Sequence, residues 1–272
     1  MQVDGGIQES HDFPFDLHPN LTPGARVLDA GEGVWRLEMP AGLQGHYRLA
    51  QLDDYGSRRR GEFPWRAPFF MTLRARASAS VIPGTWGFGL WNDPFGMALL
   101  SGAETLRLPV LPNAAWFFFA SAPNYLSLRD DLPAQGGLAA TFRSPRWPAA
   151  LLALGAPALP LLILPHTTRL LRRLGRRFVQ QDALQLQLDP MDWHTYGLFW
   201  RDGSVEFLLD GETILQTGVA PLGQLGLVIW VDNQYAALPP DGHLRFGTLP
   251  NPEAAWIELA DLALNEPFTD LE

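Results

Sequence analysis

The chain has 272 residues, a formal net charge of −9 and no cysteine. The missing cysteine excludes disulfides, thiolate catalysis and cysteine-ligated metals, and the acidic balance argues against a nucleic-acid partner. Hydrophobic residues make up 47% of the chain and ten residues are Trp, which suffices for one large core, so we expect residues 1–272 to form a single domain.

The first residues of the chain do not have the pattern of a secretory leader. No basic segment followed by an apolar stretch is present near Met1. A signal peptide is therefore not predicted, and a location in the cytoplasm or at the cytoplasmic membrane surface is favoured. Residues 1–30 are rich in turn formers and are predicted to wrap the outside of the domain.

Short β-prone runs separated by Gly, Pro, Asn and Asp follow along most of the chain. Strands are predicted over residues 34–39, 69–79, 85–91, 114–120, 125–129, 137–143, 184–188, 225–231, 244–248 and 256–264. The 24 Pro and 26 Gly residues disfavour long helices. Many short strands joined by turn residues are typical of an antiparallel sandwich or barrel, so the predicted fold class is all-β.

Residues 144–182 interrupt this series and are predicted to be an apolar and basic insertion between two strands. Residues 148–165 are wholly apolar and contain prolines, so they are too short and too interrupted to span a membrane. Residues 168–180 fit a basic amphipathic helix. Its predicted apolar arc and the basic side opposite consist of Leu170, Leu171, Leu174 and Phe178, and of Arg169, Arg172, Arg173, Arg176 and Arg177.

The insertion has two interpretations that the sequence leaves open. An apolar stretch beside several arginines suits docking to an anionic membrane surface, or a lid over an apolar groove. The alternative is a helix that packs its apolar side on the sandwich and leaves a solvated basic face.

The most specific local signal is a double hairpin over residues 193–211. Asp202-Gly203 and Asp210-Gly211 are dipeptides that tight hairpin turns favour, because both residues tolerate a positive φ. The turns predict three consecutive antiparallel strands.

Residues 193–211 resemble a segment of the family 16 glycoside hydrolases, which include lichenases and laminarinases. In that family an aromatic-His-Thr-Tyr sequence and a Trp precede a short turn, and the matching residues here are Trp193-His-Thr-Tyr196 and Trp200. Residues 84–91, 223–230 and 256–262 are similar to other strands of the family. The resemblance covers residues 30–143 and 184–264, and implies a two-sheet antiparallel jelly-roll sandwich of the concanavalin A-like type. It also implies that a ligand binds across the concave sheet.

The acidic motif of this family is missing. Family 16 enzymes carry Glu-x-Asp-x-Glu, or a bulged variant, on one strand of the concave sheet, and alternate side chains of a strand share a face. Their double displacement requires two carboxylates ~5–5.5 Å apart. The corresponding strand, Asn113-Ala-Ala-Trp-Phe-Phe-Phe-Ala120, has no acidic residue. The sequence therefore predicts the scaffold without the family's catalytic pair.

The strand over residues 113–120 has aromatic residues in place of acidic ones. Trp116 and Phe118 are predicted on one face of this strand, and Phe117 and Phe119 on the other. The residues predicted to bind a ligand are aromatic or hydrogen-bonding side chains near the implied groove, namely Trp91, Asn92, Trp116, Phe118, His194, Trp230, Asp232 and Asn233.

Three residues are candidates for relocated catalysis. Asp93 and Asp232 follow predicted strands and would form a new carboxylate pair, while His194 matches a family residue near the cleft. Each also has a structural interpretation, since Asp is a common turn former and a single His is commonly a packed residue. No group of His, Asp and Glu has transition-metal spacing, and no cofactor is predicted. A structural Ca²⁺, which the resemblance allows, has no sequence support.

Three functional hypotheses follow. The first is a non-hydrolytic protein that binds a small apolar or amphiphilic molecule, such as a glycolipid, in an aromatic groove, with an anionic membrane as a candidate partner. The second is a lectin-like module that binds a glycan. The third is an enzyme whose catalytic groups have been relocated.

Overall fold

The computed structural model describes residues 14–94, 96, 107–153, 160–161 and 164–265. These residues form two helices and sixteen strands. The helices are α1 (Ala149–Ala153) and α2 (Pro165–Phe178), and two 3-10 turns occupy Pro14–Asp16 and Arg60–Glu62. The strands are β1 (His18–Leu21), β2 (Arg26–Asp29), β3 (Trp35–Met39), β4 (Leu49–Asp53), β5 (Phe69–Ala77), β6 (Thr85–Trp91), β7 (Ala114–Ala120), β8 (Gly136–Arg143), β9 (Gln180–Gln185), β10 (His194–Arg201), β11 (Ser204–Leu209), β12 (Glu212–Thr217), β13 (Gly226–Asp232), β14 (Gln234–Ala237), β15 (Arg245–Thr248) and β16 (Ala255–Asn265).

The strands form two seven-stranded antiparallel sheets. The front sheet has the order β1-β4-β13-β6-β7-β8-β9, and the back sheet has the order β12-β11-β10-β5-β16-β3-β2. Strands β14 and β15 make a separate two-stranded hairpin. The predicted all-β, two-sheet antiparallel jelly-roll sandwich is confirmed.

The main core lies between the two sheets. Alternation along each strand sends one set of side chains inward, so the front sheet contributes Phe88 and Phe117 while the back sheet contributes Tyr196 and Phe207, all fully buried. The ring of Tyr196 meets Phe88 at 5.0 Å and Phe117 at 4.9 Å between centroids, edge to face. Such aromatic pairs add stabilisation beyond their buried area.

The double hairpin forms as predicted, with one difference in turn geometry. The pair β10–β11 closes at Arg201 and Ser204 around Asp202-Gly203, where only Gly203 has a positive φ. The next turn places Asp210 and Gly211 at φ 51° and 86°, as in a type I′ turn.

Several predicted boundaries are wrong. Residues 125–129 form no strand, and Tyr125 makes only an isolated bridge to Ala237. The strand expected over 184–188 begins earlier, at Gln180, because it pairs with β8 from Arg143 onward. Residues 18–29, expected to be turns, contain two edge strands that pair with β4 and β3.

The insertion joins β8 to β9. It contains α1 and α2, and ends where β9 begins at Gln180, so its last residues belong to the sheet. Within the described residues, no helix has both the length and the hydropathy required to cross a bilayer.

Candidate functional site

The candidate site is the outer face of the front sheet. Strand β7 turns Ala114, Trp116, Phe118 and Ala120 to this face and Phe117 and Phe119 to the core, as strand alternation requires. The register places Trp116 opposite Gly89 of β6, and Phe118 opposite Gly87. The four outward-facing positions of β7 therefore hold two aromatic rings and two methyl groups.

Four of the predicted ligand-binding residues meet on this face. The ring of Trp116 lies at the centre, with centroid distances of 5.9 Å to Trp91, 5.7 Å to Phe118 and 5.7 Å to Trp230. Phe142 meets the same indole edge-on at 6.0 Å. Trp91, Phe118 and Trp230 are 8%, 5% and 8% exposed, whereas Trp116 is only half-buried. We call these five rings the aromatic layer.

Two glycines of β6 make room for the aromatic layer. A Cβ on Gly87 would lie 2.9 Å from the Trp230 ring and 2.3 Å from the carbonyl oxygen of Phe117. A Cβ on Gly89, whose φ is +150°, would lie 2.5 Å from the Cα of Trp116. The layer therefore requires both glycines, because any side chain there would collide with backbone.

A hydrogen-bonded network borders the layer at one end. The Trp230 indole donates to Thr85 Oγ1 over 3.0 Å, and Thr85 Oγ1 donates to Asp232 Oδ1 over 2.7 Å. Asp232 Oδ1 also accepts from the backbone amides of Thr85 and Gln234, and Tyr47 donates to Oδ2 over 3.5 Å. Burial raises the pKa of Asp232 to about 7 despite these bonds. Its carboxyl group thus titrates near neutral pH.

Polar groups on β4 border the layer on one side. Gln51 and Asp53 share the outer face, and the Gln51 amide donates to Asp53 Oδ2 over 2.7 Å. The backbone amides of Tyr55 and Gly56 donate to the other carboxylate oxygen. Burial raises the pKa of Asp53.

The neighbouring residue, Asp54, is also a buried acid. Its carboxyl accepts from the indole of Trp65 and from the backbone amide of Leu227. Burial outweighs these bonds and raises the pKa of Asp54 to about 7.

The proposed carboxylate pair of Asp93 and Asp232 is not formed. The register of β6 and β13 sets Asp232 against Thr85 and Gly226 against Trp91. Asp93 therefore lies beyond the far end of the same strand pair, roughly 27 Å away at about 3.4 Å per residue. Glycosidase carboxylates act at about 5–9.5 Å.

Asp93 instead has a structural role. Its carboxylate forms an ion pair of 3.0 Å with Arg107, and both side chains are almost fully buried. The same guanidinium donates to the carbonyl oxygens of Tyr55, Gly56 and Arg58. The pair thus joins the segment after β6 to the segment after β4.

Asn92 and Asn233 are also occupied by backbone. Asn92 donates to the carbonyl of Leu111 and accepts from the amide of Asn113. Asn233 is fully buried, and its side chain makes three hydrogen bonds to backbone groups. These groups are the amide of Arg48 and the carbonyl oxygens of His46 and Leu249. Neither amide is directed to the aromatic layer.

His194 does not border the aromatic layer. It opens β10 of the back sheet and has the same strand parity as the core residues Tyr196 and Leu198, so the core separates it from the outer front face. Its Nδ1 lies 2.7 Å from Asp210 Oδ2, and its Nε2 lies 3.1 Å from the carbonyl oxygen of Asp189. The predicted location near the cleft is therefore wrong, and the imidazole fixes the type I′ turn.

The insertion helix packs on the sandwich through a polar stripe, so the interpretation in which its apolar side packs there is wrong. Arg172, predicted on the exposed basic side, is 4% exposed. Its guanidinium donates to the carbonyl oxygens of Ser127 and Leu238 and forms a 2.7 Å ion pair with Asp130. Arg176 pairs with the same carboxylate at 2.5 Å. Two of the five arginines therefore hold the helix to the sandwich.

Two cavities among the described residues lie away from the aromatic layer. One, of about 380 Å³, opens at the rim between the sheets, where Trp86 and Phe119 stack at 3.8 Å; its polar lining includes Gln135, Gln185 and Gln187. Another, of about 320 Å³, is lined by residues that include Arg66, Arg143 and Arg146. In the part of the chain that the structure describes, no three His, Asp or Glu side chains are close enough to hold a metal ion.

The sequence did not identify the polar border of the site. Gln51 and Asp53 were missed because β4 was not predicted, although its sequence Leu-Ala-Gln-Leu-Asp has the period of a strand. Thr85 was missed because a threonine at the start of a strand does not by itself indicate a site. Only the pairing of β6 with β13 places its hydroxyl beside Asp232.

Comparisons with known proteins give fold likenesses only. No family model matches the chain, and no curated protein matches it either. Among solved structures, a family 16 endo-glucanase from Bacteroides ovatus is 9% identical, with a TM-score of 0.46 over 89% of this chain and 85% of that one. The kappa-carrageenase from Pseudoalteromonas carrageenovora is 12% identical, with a TM-score of 0.45 over 88% and 80%.

The endo-β-galactosidase from Clostridium perfringens is similar at a TM-score of 0.42 and 9% identity. The match covers 86% of this chain but 53% of that enzyme, so the chain spans about half of its length.

Proposed function

We propose that this protein is a non-hydrolytic binding protein that takes an apolar or amphiphilic ligand, such as a glycolipid, on the aromatic layer. The observation that carries the proposal is the half-buried indole of Trp116 at the centre of four further rings. Ligand sites for apolar molecules are lined mainly by hydrophobic and aromatic groups, with a few polar groups that fix orientation.

The polar groups of the face support an amphiphilic ligand. The amide and carboxylate of Gln51 and Asp53 lie on β4, at one side of the aromatic layer. On the other side β8 turns Leu138 and Ala140 to the same face, opposite Phe118 and Trp116. A ligand lying across the strands would therefore place its head group toward β4 and its alkyl chain toward β8.

The absence of hydrolysis is part of the proposal. Strand β7 has no carboxylate, and the two acids described above at the border of the aromatic layer are already bonded within the protein. Asp232 accepts from two backbone amides and a hydroxyl, and Asp53 accepts from an amide side chain and two backbone amides. A glycosidase needs a nucleophile or base free to reach the anomeric carbon.

The test uses alkyl glucosides with one head group and chains of increasing length, below their critical micelle concentrations. Each methylene buried on the aromatic layer contributes about 0.8 kcal/mol, so affinity measured by calorimetry should rise about fourfold per methylene. Glucose itself should not bind measurably. An affinity that does not depend on chain length would contradict the proposal.

The W116A variant locates the site. Loss of the central ring should reduce the affinity for octyl glucoside roughly tenfold, as expected for about 1.4 kcal/mol of lost contact. W193A is the matched control, because Trp193 is also partly buried but lies against Arg74 and Arg76 of the back sheet. Equal losses in both variants would refute the assignment to the front face.

Carbohydrate binding is a second candidate, supported by a different observation. The cavity of about 380 Å³ combines the stacked Trp86–Phe119 pair with the amides of Gln135, Gln185 and Gln187. Side-chain amides both donate and accept hydrogen bonds, as sugar hydroxyls do. Binding of short β-glucans or galactans that Q187A weakens and W116A leaves unchanged would favour this candidate over the first.

A further inference from the structure

Helix α2 exposes its apolar side. The four apolar residues of its predicted arc, Leu170, Leu171, Leu174 and Phe178, are 51%, 44%, 40% and 39% exposed. The helix contacts the sandwich through a different stripe, in which Thr168 and Arg172 are buried. At about 100° per residue this stripe lies roughly 120° from the centre of the apolar arc. The arc therefore faces away from the protein core.

Neighbouring parts of the insertion extend this apolar surface. The ring of Trp147 packs against Phe178 with centroids 4.7 Å apart, and the indole remains 38% exposed. Leu151 of α1 is 56% exposed, and Leu164, which precedes α2, is 54% exposed. We call the four residues of the arc and Trp147 the apolar patch; Leu151 and Leu164 are two further exposed leucines of the same insertion. Clustered exposed side chains of this size mark an interaction surface, whereas single exposed ones do not.

Basic side chains lie along the edge of the apolar patch. Arg173 and Arg177 are exposed. When Leu170 is placed at 0° around the helix axis, the arc spans about 0° to 100°, and these two arginines lie at about 300° and 340°. They therefore border the edge of the arc that is farther from the sandwich. Helix α2 contains five arginines and no acidic residue. The remainder of the chain has a formal net charge of −14, since the whole chain has −9 and the helix contributes five positive charges. Positive charge is therefore concentrated beside the exposed apolar side of α2.

We propose that the apolar patch inserts between the headgroups of an anionic membrane, while Arg173 and Arg177 contact lipid phosphates. An interfacial helix buries its apolar side in the headgroup region and keeps basic residues at the boundary. With 14 residues, α2 is about 21 Å long, shorter than the ~30 Å hydrocarbon core, so it lies in the plane of the interface. The buried Arg172 fixes this orientation, because its bonds to Ser127, Leu238 and Asp130 hold the opposite stripe on the sandwich.

The first experiment measures co-sedimentation of the intact protein with vesicles. Neutral vesicles of phosphatidylcholine are compared with vesicles containing roughly 30 mol% phosphatidylglycerol as the probe. We expect binding to the anionic vesicles that weakens as salt is raised. No binding to either vesicle, or equal binding that ignores salt, would overturn the proposal.

Two sets of variants separate the apolar from the basic contribution. Leu170, Leu174 and Phe178 changed together to Ser should lower the partition coefficient at least about tenfold on anionic vesicles. The R173Q/R177Q variant should lower it by about fivefold per charge on anionic vesicles, with little change on neutral ones. Because all five side chains are exposed, both variants should retain the wild-type circular dichroism spectrum and melting temperature.

The matched control changes Leu43 and Val81 to Ser, since both are more exposed, at 83% and 64%, but lie outside the insertion. A similar loss of vesicle binding in this control would refute the patch as the membrane contact. Light scattering distinguishes a second copy of the chain: a dimer that the triple Ser variant dissociates would show that the patch is a protein interface. The apolar patch shares no residue with the aromatic layer, so W116A should bind vesicles normally even if the ligand proposal fails.

Discussion

The difference in unfolding free energy between the D232N variant and the wild type should shift in favour of D232N as the pH rises from acidic to neutral. Burial raises the pKa of Asp232 from 3.8 to about 7. The folded state therefore keeps this proton up to about pH 7, whereas the unfolded state loses it near pH 4. Between these values the unfolded chain binds fewer protons, so the free energy of unfolding falls as pH rises.

The size of the effect follows from the pKa shift. One pKa unit corresponds to about 1.4 kcal/mol, so a shift of about three units corresponds to on the order of 4 kcal/mol lost between about pH 4 and pH 7. The side-chain amide of the D232N variant does not titrate and is similar in shape to a protonated carboxyl. Its carbonyl oxygen can still accept from the hydroxyl and amide of Thr85, which bond Oδ1 of Asp232 over 2.7 and 3.3 Å.

The assay is urea unfolding at about pH 4, 5.5, 7 and 8.5, followed by circular dichroism, with the unfolding free energy extrapolated to water. The difference between D232N and the wild type should increase in favour of D232N between about pH 4 and 7 and then level off. Using the difference removes the contributions of the other acids. The D202N variant, at the exposed tip of the β10–β11 hairpin, is the control and should show no such trend.

Two outcomes would refute this reasoning. Coincident pH profiles for D232N and the wild type would mean that the Asp232 carboxyl ionises without cost in the folded state. A uniform loss of stability in D232N at every pH would mean that the hydrogen bonds of the carboxylate, rather than its burial, determine its contribution.

Two further predictions concern buried charges. The E258Q variant should lose about 2 kcal/mol of unfolding free energy at pH 7. Burial favours the neutral acid at this position, but hydrogen bonds from Arg36 and Arg76 outweigh it and hold the pKa of Glu258 below its usual value. This stabilisation exists above the unfolded pKa, so the deficit should shrink below about pH 4.5, and a pH-independent deficit in urea melts would contradict it. The R172M variant should lose about 3 kcal/mol of unfolding free energy and exchange the amide hydrogens of α2 faster, because the carbonyl oxygens of Ser127 and Leu238 lose their donor. The control is R173M, at an exposed position of the same helix. Equal exchange rates in both variants would refute the role of Arg172 in holding α2 on the sandwich.

The strands of the sandwich centre could be predicted because their local signals agree. The pairs Asp202-Gly203 and Asp210-Gly211 set the hairpins, and both runs 85–91 and 114–120 were predicted with the bounds that the structure has. The edge strands β1 and β2 could not be predicted in this way. Each has four residues and a half-exposed pattern, so pairing with β4 and β3, which the sequence does not encode locally, decides their conformation.

The site was predictable in composition but not in geometry. Strand alternation correctly placed Trp116 and Phe118 together on one face, and the family resemblance suggested Trp91 and Trp230 beside them. The distance between Asp93 and Asp232 depends on the register of β6 and β13, which joins residues far apart in the sequence. Both acids lie at the C-terminal ends of their strands, and the antiparallel pairing, which the sequence does not show, puts those ends at opposite edges of the sheet.

The orientation of α2 shows why amphipathicity alone did not predict its packing. A rotation of roughly 120° about the helix axis would bury the leucines of the arc, but it would move the Arg172 guanidinium out of its contacts with Ser127 and Leu238. Two buried carbonyl oxygens would then lack donors, at a cost of about 1–3 kcal/mol each, and the ion pair with Asp130 would be lost. The polar anchor therefore competes directly with burial of the arc. A helix held in this way keeps its apolar side available for a surface outside the protein, which is what docking to a membrane requires.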